Sequence, residues 1–565
     1  LHAGPAGPAL LSGGLPGLVR RRARQTPQRV ALATPQRRLT WLELEREVNR
    51  AAHFWRNQGI TRDQTVAILA GNRVEVLIHT LGLARMGAHS ALLNPQLTHG
   101  PLSHVLRASR AVTIVTDAAH RPALDTVDAA FDALPAWSFD PSDDPRTTAL
   151  APTMRTTPHT PARAARGGPS AVFTYLFTSG TTGRPKAVPI TSVRTLLPGL
   201  GLQALVLRAT ANDVLFTPLP LAHASALLVG LSTAWVAGAT FAFCERFSAH
   251  TYWQDAAAVG ATVGIYVGEL CRYLLAVPPQ PGDQHHRLHT FMGNGLRGDV
   301  WPAFQRRFGG PRVIEFYGAT EGNAFLVNRS GKVGSCGRPL LPSALSRLTL
   351  VRYDARTDTH PRDAKGRLIP VNPGEPGELL ARISRLPHER FDGYLDARAT
   401  QAKVLADGPN RWFRTGDLLR RDADGDYHFV DRIGDTFRWK GENVSTQEVA
   451  ELLSEQVEAI TVYGVTVPGH EGRAGMAAIT TPLFDPQRFY AATQQLQAAA
   501  RPIFVRLMPA LDRTATMKFK KARLQAEGFS AEIPDALWIR DPAAATYVPL
   551  DATHRDALSA GTLRL

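Results

Sequence analysis

Short apolar runs alternate with amphipathic stretches through the first half of the chain. Val66-Ala67-Ile68-Leu69 is uniformly apolar, the pattern of a strand covered on both faces. Val74 to Met86 then has helical length and stops before Gly87, a left-handed terminator. Ser90 to Leu93 begins another strand, closed by Asn94-Pro95. Upstream, Thr40-Trp41-Leu42-Glu43 reads as a capping box, and the helix behind it carries Leu44, Val48, Ala51, Ala52 and Trp55 on one face. Further on, Val263 to Val267 and Val313-Ile314-Glu315-Phe316 read as buried strands. Strand–helix–strand alternation predicts an α/β fold with parallel sheet under helices. Residues 137–170 are rich in Pro, Asp, Thr and Arg without periodicity, and are predicted to be a loop. No repeat at solenoid periods is visible.

Ala224 to Phe243 runs twenty residues without a charge, enough to cross a bilayer. Pro218 and Pro220 precede it, and Gly230, Ser232, Thr233 and Gly238 interrupt it. The better reading is a buried helix stopped at Gly238, followed by a buried strand at Thr240-Phe241-Ala242-Phe243.

Composition narrows the picture. The 565 residues are 44% hydrophobic, which suits two or more domains with sizeable cores. The net charge of +15 admits an anionic membrane surface or anionic ligands, or simply an arginine-rich solvated surface. It is spread along the chain without a nucleic-acid-binding pattern, so no nucleic acid is expected. Cys244, Cys271 and Cys336 are few, odd in number and far apart, which argues against a disulfide framework or a zinc site. The start is small and apolar, and Arg20-Arg21-Arg22 and Arg24 follow it, the reverse of a signal peptide. That cluster is read either as a frayed, solvated terminus or as a contact to phospholipid head groups.

The chemistry begins at Thr178-Ser179-Gly180-Thr181-Thr182-Gly183-Arg184-Pro185-Lys186, which follows the strand-like run Val172-Phe173-Thr174-Tyr175-Leu176-Phe177. Glycines let backbone N–H groups face an anion, hydroxyls add donors, and lysine adds a mobile charge. A polyphosphate is the simplest target, although the order is not that of a Walker loop, and a polar surface turn is the bland alternative. At Tyr317-Gly318-Ala319-Thr320-Glu321, a ring able to stack on a purine, a hydroxyl and a Mg²⁺-competent carboxylate fall within five residues at a strand end. Met292-Gly293-Asn294-Gly295-Leu296-Arg297 is a glycine-rich turn opening a helix, alone more often a tight turn than a site. Thr415-Gly416-Asp417 offers a carboxylate for ribose hydroxyls or merely an Asx-turn, and Asp424-Gly425 predicts a hairpin. His223, at the head of an apolar helix, is a cap or core histidine in the plain reading. The basic run Arg513 to Lys521 is in the plain reading a solvated face.

Together these stretches resemble the adenylate-forming enzymes: acyl-CoA synthetases, luciferases and peptide-synthetase adenylation domains. Asp431-Arg432-Ile433-Gly434-Asp435 resembles the start of that family's C-terminal domain. Phe437-Arg438-Trp439-Lys440-Gly441-Glu442-Asn443-Val444 is similar to the fatty-acid transport protein and very-long-chain acyl-CoA synthetase branch. So are Val462-Tyr463-Gly464-Val465, Pro468 to Gly475 and Gly331-Lys332-Val333-Gly334. The resemblance implies a large multi-sheet N-terminal adenylation domain over 1–432 and a small mobile α+β C-terminal domain over 433–565, with a hinge near Gly434. It implies that the 178–186 loop holds the phosphates of ATP and that Gly293 and Gly295 approach the base. Tyr317 would stack on adenine, Thr320 would bind phosphate, and Glu321 would hold Mg²⁺. Asp417 would hold ribose, Arg432 would contact ribose or phosphate, and His223 would line the acyl site, widened where Ala222 replaces an aromatic. Lys518, with Lys521 second, would be the mobile catalytic lysine, and Lys440 and Gly441 would face CoA. The implied activity is AMP-forming ligation of a long-chain or very-long-chain fatty acid to CoA with ATP and Mg²⁺, an activity that could be coupled to fatty-acid uptake. The implied location is cytoplasmic, peripheral at the inner face of a membrane. A bile-acid or other carboxylic-acid CoA ligase, and a non-catalytic fatty-acid transport or binding protein, stand as alternatives.

Overall fold

The computed structural model describes residues 6–131, 133–165, 168, 170–178, 185–342, 345–354, 357–440, 442–468, 470, 472–514, 519–530, 532–560 and 563, with side chains described except at 6–12 and 443. They gather into two compact units. The first holds Leu1–Val333, Pro339–Arg347 and Arg382–Leu405; the second holds Gly334–Arg338, Leu348–Ala381 and Ala406–Leu565. The boundary expected after 432 falls inside the second unit.

The first unit is built on two sheets. A seven-stranded sheet runs Thr147–Ala149, Ala136–Ser138, Ala111–Thr116, Thr65–Leu69, His89–Leu92, Val172–Thr178, Lys186–Thr191. All its pairings are parallel except the last. Thr65–Leu69 is buried at every position, as the uniform apolar run requires. The other sheet has Arg312–Gly318, Thr290–Asn294, Val263–Val267, Val214–Thr217 and Thr240–Phe243 as parallel neighbours.

Local signals are honoured. Both halves of the Thr40–Glu43 capping box form, a motif worth about 1 kcal/mol. The helix Val74–Met86 ends at Gly87 with φ +86°. The Ala224 to Phe243 run is a buried π-turn, Ser225–Leu231, then helix Ser232–Ala237, left-handed Gly238 and strand Thr240–Phe243. No helix among the described residues is long and apolar enough to cross a membrane.

Three expectations are corrected. Residues 137–170 are not a loop throughout: Ala136–Ser138 and Thr147–Ala149 extend the parallel sheet, and Leu150–Thr156 is helical. Strands of three residues are too short to show a period; Ala136–Ser138 forms on the free edge of Ala111–Thr116, and Thr147–Ala149 forms in turn on Ala136–Ser138. The N-terminal basic cluster is neither frayed nor turned wholly to solvent. Leu15, Leu18 and Val19 of the helix Ala6–Gln25 are buried. Arg20 donates to Ala162 O (3.1 Å) and pairs with Glu45 (3.5 Å), while Arg22 donates to Val236 O (2.6 Å). Only Arg24 of the four is exposed. Finally, Gly293 lies inside a strand, and the next helix begins only at Val300.

The second unit carries the antiparallel strands Leu348–Val351 and Pro376–Arg382, and the hairpin Asn410–Arg421/Tyr427–Arg432, turned at Asp424-Gly425. A five-stranded sheet follows in the order Ala459–Val465, Ala474–Thr480, Phe504–Leu507, Ala536–Asp541, Thr546–Pro549. Its core joins Phe437 and Trp439 to Val462, Tyr463, Met476 and Ile479. A Cβ on Gly464 would lie 2.6 Å from Phe437, and one on Gly475 would lie 3.1 Å from it. These glycines let the hairpin Phe437–Trp439/Glu442–Val444 lie flat on the sheet, so two stretches distant in sequence form one packing unit.

Candidate active site

The first unit holds the phosphate candidates. Thr178 pairs with Lys186 across antiparallel strands; Ser179, Gly180, Thr181, Thr182 and Gly183 lie outside the described residues. Lys186 Nζ stands 5.5 Å from the Tyr394 ring centroid. The Tyr394 hydroxyl donates to Glu321 Oε1 at 2.8 Å. Burial first, and the Glu321 carboxylate second, push that phenol well above its usual range, so it stays a donor. Thr320 and Glu321 follow the strand Arg312–Gly318, which carries buried Tyr317 near its C-terminal end, where open α/β sheets place ligands. The turn is braced by Arg194, which donates through Nε (2.9 Å) and Nη2 (2.6 Å) to Thr320 O and also to Gly322 O. Arg194 sits in the first turn of Ser192–Leu202, capped by Thr191. A carboxylate carries about four lone-pair sites and Tyr394 occupies one, so Glu321 with the Thr320 hydroxyl suits a hard, oxygen-seeking cation such as Mg²⁺.

The base candidates lie on the neighbouring strand. Gly293 faces Tyr266 across the sheet, and a Cβ there would sit 2.3 Å from Tyr266 O. Gly295 takes φ +79°, and Gly268 approaches so closely that a Cβ would meet Gly295 O at 1.7 Å. Behind this turn stands Glu315, buried, accepting from Gly295 N–H, from Leu296 N–H (3.0 Å) and from the Tyr266 hydroxyl. All three donors are neutral. Burial pushes the Glu315 carboxyl up to about 8, against the pull of its hydrogen bonds.

The second unit holds the ribose candidates. Asp417 and Arg432 are register partners in the hairpin, with Arg432 Nε 3.6 Å from Asp417 Oδ1. The turn before Asp417 rests on Glu378, fully buried, which accepts from Gly416 N–H (3.0 Å), Arg414 Nη2 (3.2 Å) and His360 Nε2 (2.5 Å). Burial opposes the charge of Glu378, yet His360 and Arg414 hold its carboxyl below the usual range. Gly434 takes φ +99° with no atom within 4 Å of a would-be Cβ, so conformation, not space, calls for glycine there. Lys440 is exposed with φ +49° at the tip of its hairpin; Gly441 and Lys518 lie outside the described residues. Lys521 donates to Thr446 Oγ1 (2.9 Å) and Asp435 Oδ2 (3.3 Å), beside Gly434.

His223 acts locally through its backbone oxygen, which accepts from Ala226 (3.1 Å) and Leu227 (3.2 Å), and its Nδ1 accepts from Ser225 N–H (3.3 Å). Adjacent Ala222 and Leu221 line a cavity with Ile68, Val76, Leu92 and Leu93, held by Asn72, which donates to Leu219 O (2.9 Å). Sequence reading missed Arg194, Tyr394, Glu315 and Glu378 as site residues. Three carried a signal: Arg194 is the one charge in Ser192–Leu202, and Glu315 and Glu378 are acids inside apolar strands, each needing a buried partner.

Residues 19–387 match the family model described as AMP-binding enzyme. Long-chain fatty acid transport protein 1 of Mus musculus is 38% identical, covering 96% of this chain and 87% of that protein. The medium/long-chain-fatty-acid–CoA ligase FadD6 of Mycobacterium tuberculosis is 36% identical, covering 98% and 94%. Among solved structures, an anthranilate CoA ligase with anthranoyl-AMP superposes with a TM-score of 0.80 at 22% identity, covering 92% of this chain and 97% of that one.

Proposed function

Since the chain belongs to the AMP-binding enzyme family, we propose that it is an AMP-forming fatty acid:CoA ligase acting on long-chain or very-long-chain acids. The observation that carries this reading is its similarity, over 98% of its length, to a medium/long-chain-fatty-acid–CoA ligase. The fatty carboxylate attacks the α-phosphorus of ATP, the α–β bridging P–O bond breaks, and pyrophosphate leaves. CoA thiolate then attacks the acyl carbonyl, and AMP leaves with the electron pair of the broken C–O bond. Neither step needs a protein nucleophile, so catalysis is positioning and charge stabilisation.

In this reading the 178–186 loop grips the departing pyrophosphate, and Lys518 meets the charge developing on the α-phosphate. Tyr317 stacks on adenine, and the turn at Gly293–Gly295 approaches the base. Asp417 accepts ribose hydroxyls, with Arg432 beside it. His223 borders the acyl site. Glu321 would hold Mg²⁺, which would supply neutralising charge to the phosphates. Rotation about Gly434, the start of a mobile C-terminal domain at 433, exchanges Lys518 for the Lys440–Gly441 face that receives CoA.

We also place the chain at a membrane surface. The support is its +15 charge and the exposed Leu345 and Leu386, flanked by exposed Arg347 and Arg385 in the first unit. Similarity to transport proteins favours uptake driven by acylation.

ATP–pyrophosphate exchange across medium- to very-long-chain fatty acids, bile acids and aryl acids tests the substrate. Exchange with bile or aryl acids alone rejects the fatty-acid reading. Lys518→Ala is expected to abolish exchange while thioester formation from preformed acyl-adenylate survives. Fatty-acid uptake that persists in Lys518→Ala favours transport without catalysis.

A further inference from the structure

Tyr394 is mounted more rigidly than its place between strands requires. Gly393 before it takes φ +77°, and a Cβ there would lie 2.7 Å from Thr400 Cγ2. Tyr394 N–H donates to Thr400 Oγ1 at 2.8 Å, and the Thr400 hydroxyl returns to Tyr394 O (3.2 Å) or Asp396 O (2.9 Å). Leu395 N–H donates to Ala187 O at 3.0 Å, tying the segment to the strand that begins at Lys186. The ring is 8% exposed. From this mount one side chain serves two charged groups: its hydroxyl donates to Glu321 Oε1 at 2.8 Å, and Lys186 Nζ lies 5.5 Å from its ring centroid.

A lysine and a glutamate around one polyphosphate site tend to collapse into a direct ion pair, which spends both charges on each other. A ring that takes the ammonium on its π system and the carboxylate on its hydroxyl satisfies both while keeping them apart. We propose that Tyr394 is the positioning residue that sets Glu321 and Lys186 in fixed relation, so that the carboxylate meets a divalent cation while the ammonium meets the phosphates. The proposal rests on the ligase reading for the identity of those ligands.

The test uses the full chain with Mn²⁺ and ATP as probes and no acid present. Protein-dependent changes in the Mn²⁺ electron-spin-resonance signal give the affinity for Mn²⁺·ATP. Tyr394→Phe keeps the ring and loses the hydroxyl; it is expected to weaken that affinity about tenfold, the scale of one charge-assisted hydrogen bond, with melting temperature nearly unchanged. In Glu321→Gln the same change is expected to add little, because the hydroxyl acts through that carboxylate. Tyr394→Leu also removes the ring under Lys186 and is expected to lose a further few-fold in ATP affinity; Tyr394→Phe carries the test where this variant fails to fold. Unchanged Mn²⁺·ATP affinity in Tyr394→Phe, or full additivity with Glu321→Gln, overturns the proposal. Because no acid enters the titration, failure of every acid to support exchange would reject the ligase reading and leave this result standing.

Discussion

Glu315 in the first unit and Glu378 in the second are buried carboxyls with the same task and opposite electrostatics. Each sits inside a strand and accepts backbone N–H groups from a glycine turn that carries a candidate nucleotide contact: Gly295 and Leu296 for one, Gly416 for the other. Glu315 is surrounded by neutral donors, and burial lifts it to about 8. Glu378 is buried as well, yet His360 and Arg414 keep it depressed. Geometry alone therefore does not set the charge of a buried acid; the formal charges of its partners decide. One turn rests on a group able to hold a proton near neutrality, and the other on a committed ion.

Removing each acid should separate the two cases, and the largest effect belongs to the ion. Glu378→Ala strands Arg414 and His360 around a buried hole and is expected to cost about 3 kcal/mol or more, read by urea unfolding, with weakened AMP binding. Glu315→Ala leaves a tyrosine hydroxyl and two N–H groups without their acceptor, for about 2–4 kcal/mol, while Glu315→Gln keeps an acceptor and costs about 1 kcal/mol. Equal damage from both Glu315 variants would break the hydrogen-bond account.

The pH dependence follows with opposite signs. Glu315 is raised from 4.5 to about 8 on folding. The folded state therefore binds the extra proton, and the linked stability is complete below the unfolded value and lost as pH rises toward 8. A fall of about 2–4 kcal/mol between mildly acid and alkaline pH is expected, flattened in Glu315→Gln. Glu378 is depressed, so its contribution is present above its unfolded value and lost on acidification. The smallest effect is a baseline: Thr40→Ala, at a half-exposed helix cap, is expected to cost about 1 kcal/mol with no change in AMP affinity.

Much of the fold was legible in the sequence, because its signals are local. The capping box at Thr40, the stops at Gly87 and Gly238 and the apolar strands at Val66 and Val263 each depend on neighbours within a few residues. The glycine, tyrosine and carboxylate stretches stood out as candidates, since a phosphate or a base asks for residue types in a fixed order. The three-residue strands after Ala136 were not, because a free sheet edge makes them. Nor were the partners of Arg20 and Arg22, which lie 142 and 214 positions away.

By itself the sequence supplied the candidates for the chemistry: polyphosphate donors, a stacking ring, a metal-competent acid and a ribose carboxylate. Only the tertiary structure decided what holds them. Arg194 reaches Thr320, Tyr394 reaches Glu321 from 73 residues away, and Glu315 and Glu378 fix their turns from behind. The reason is physical. A ligand selects the residues that touch it by type and spacing, whereas a supporting side chain needs only to arrive at the right distance, and many stretches of sequence can bring it there.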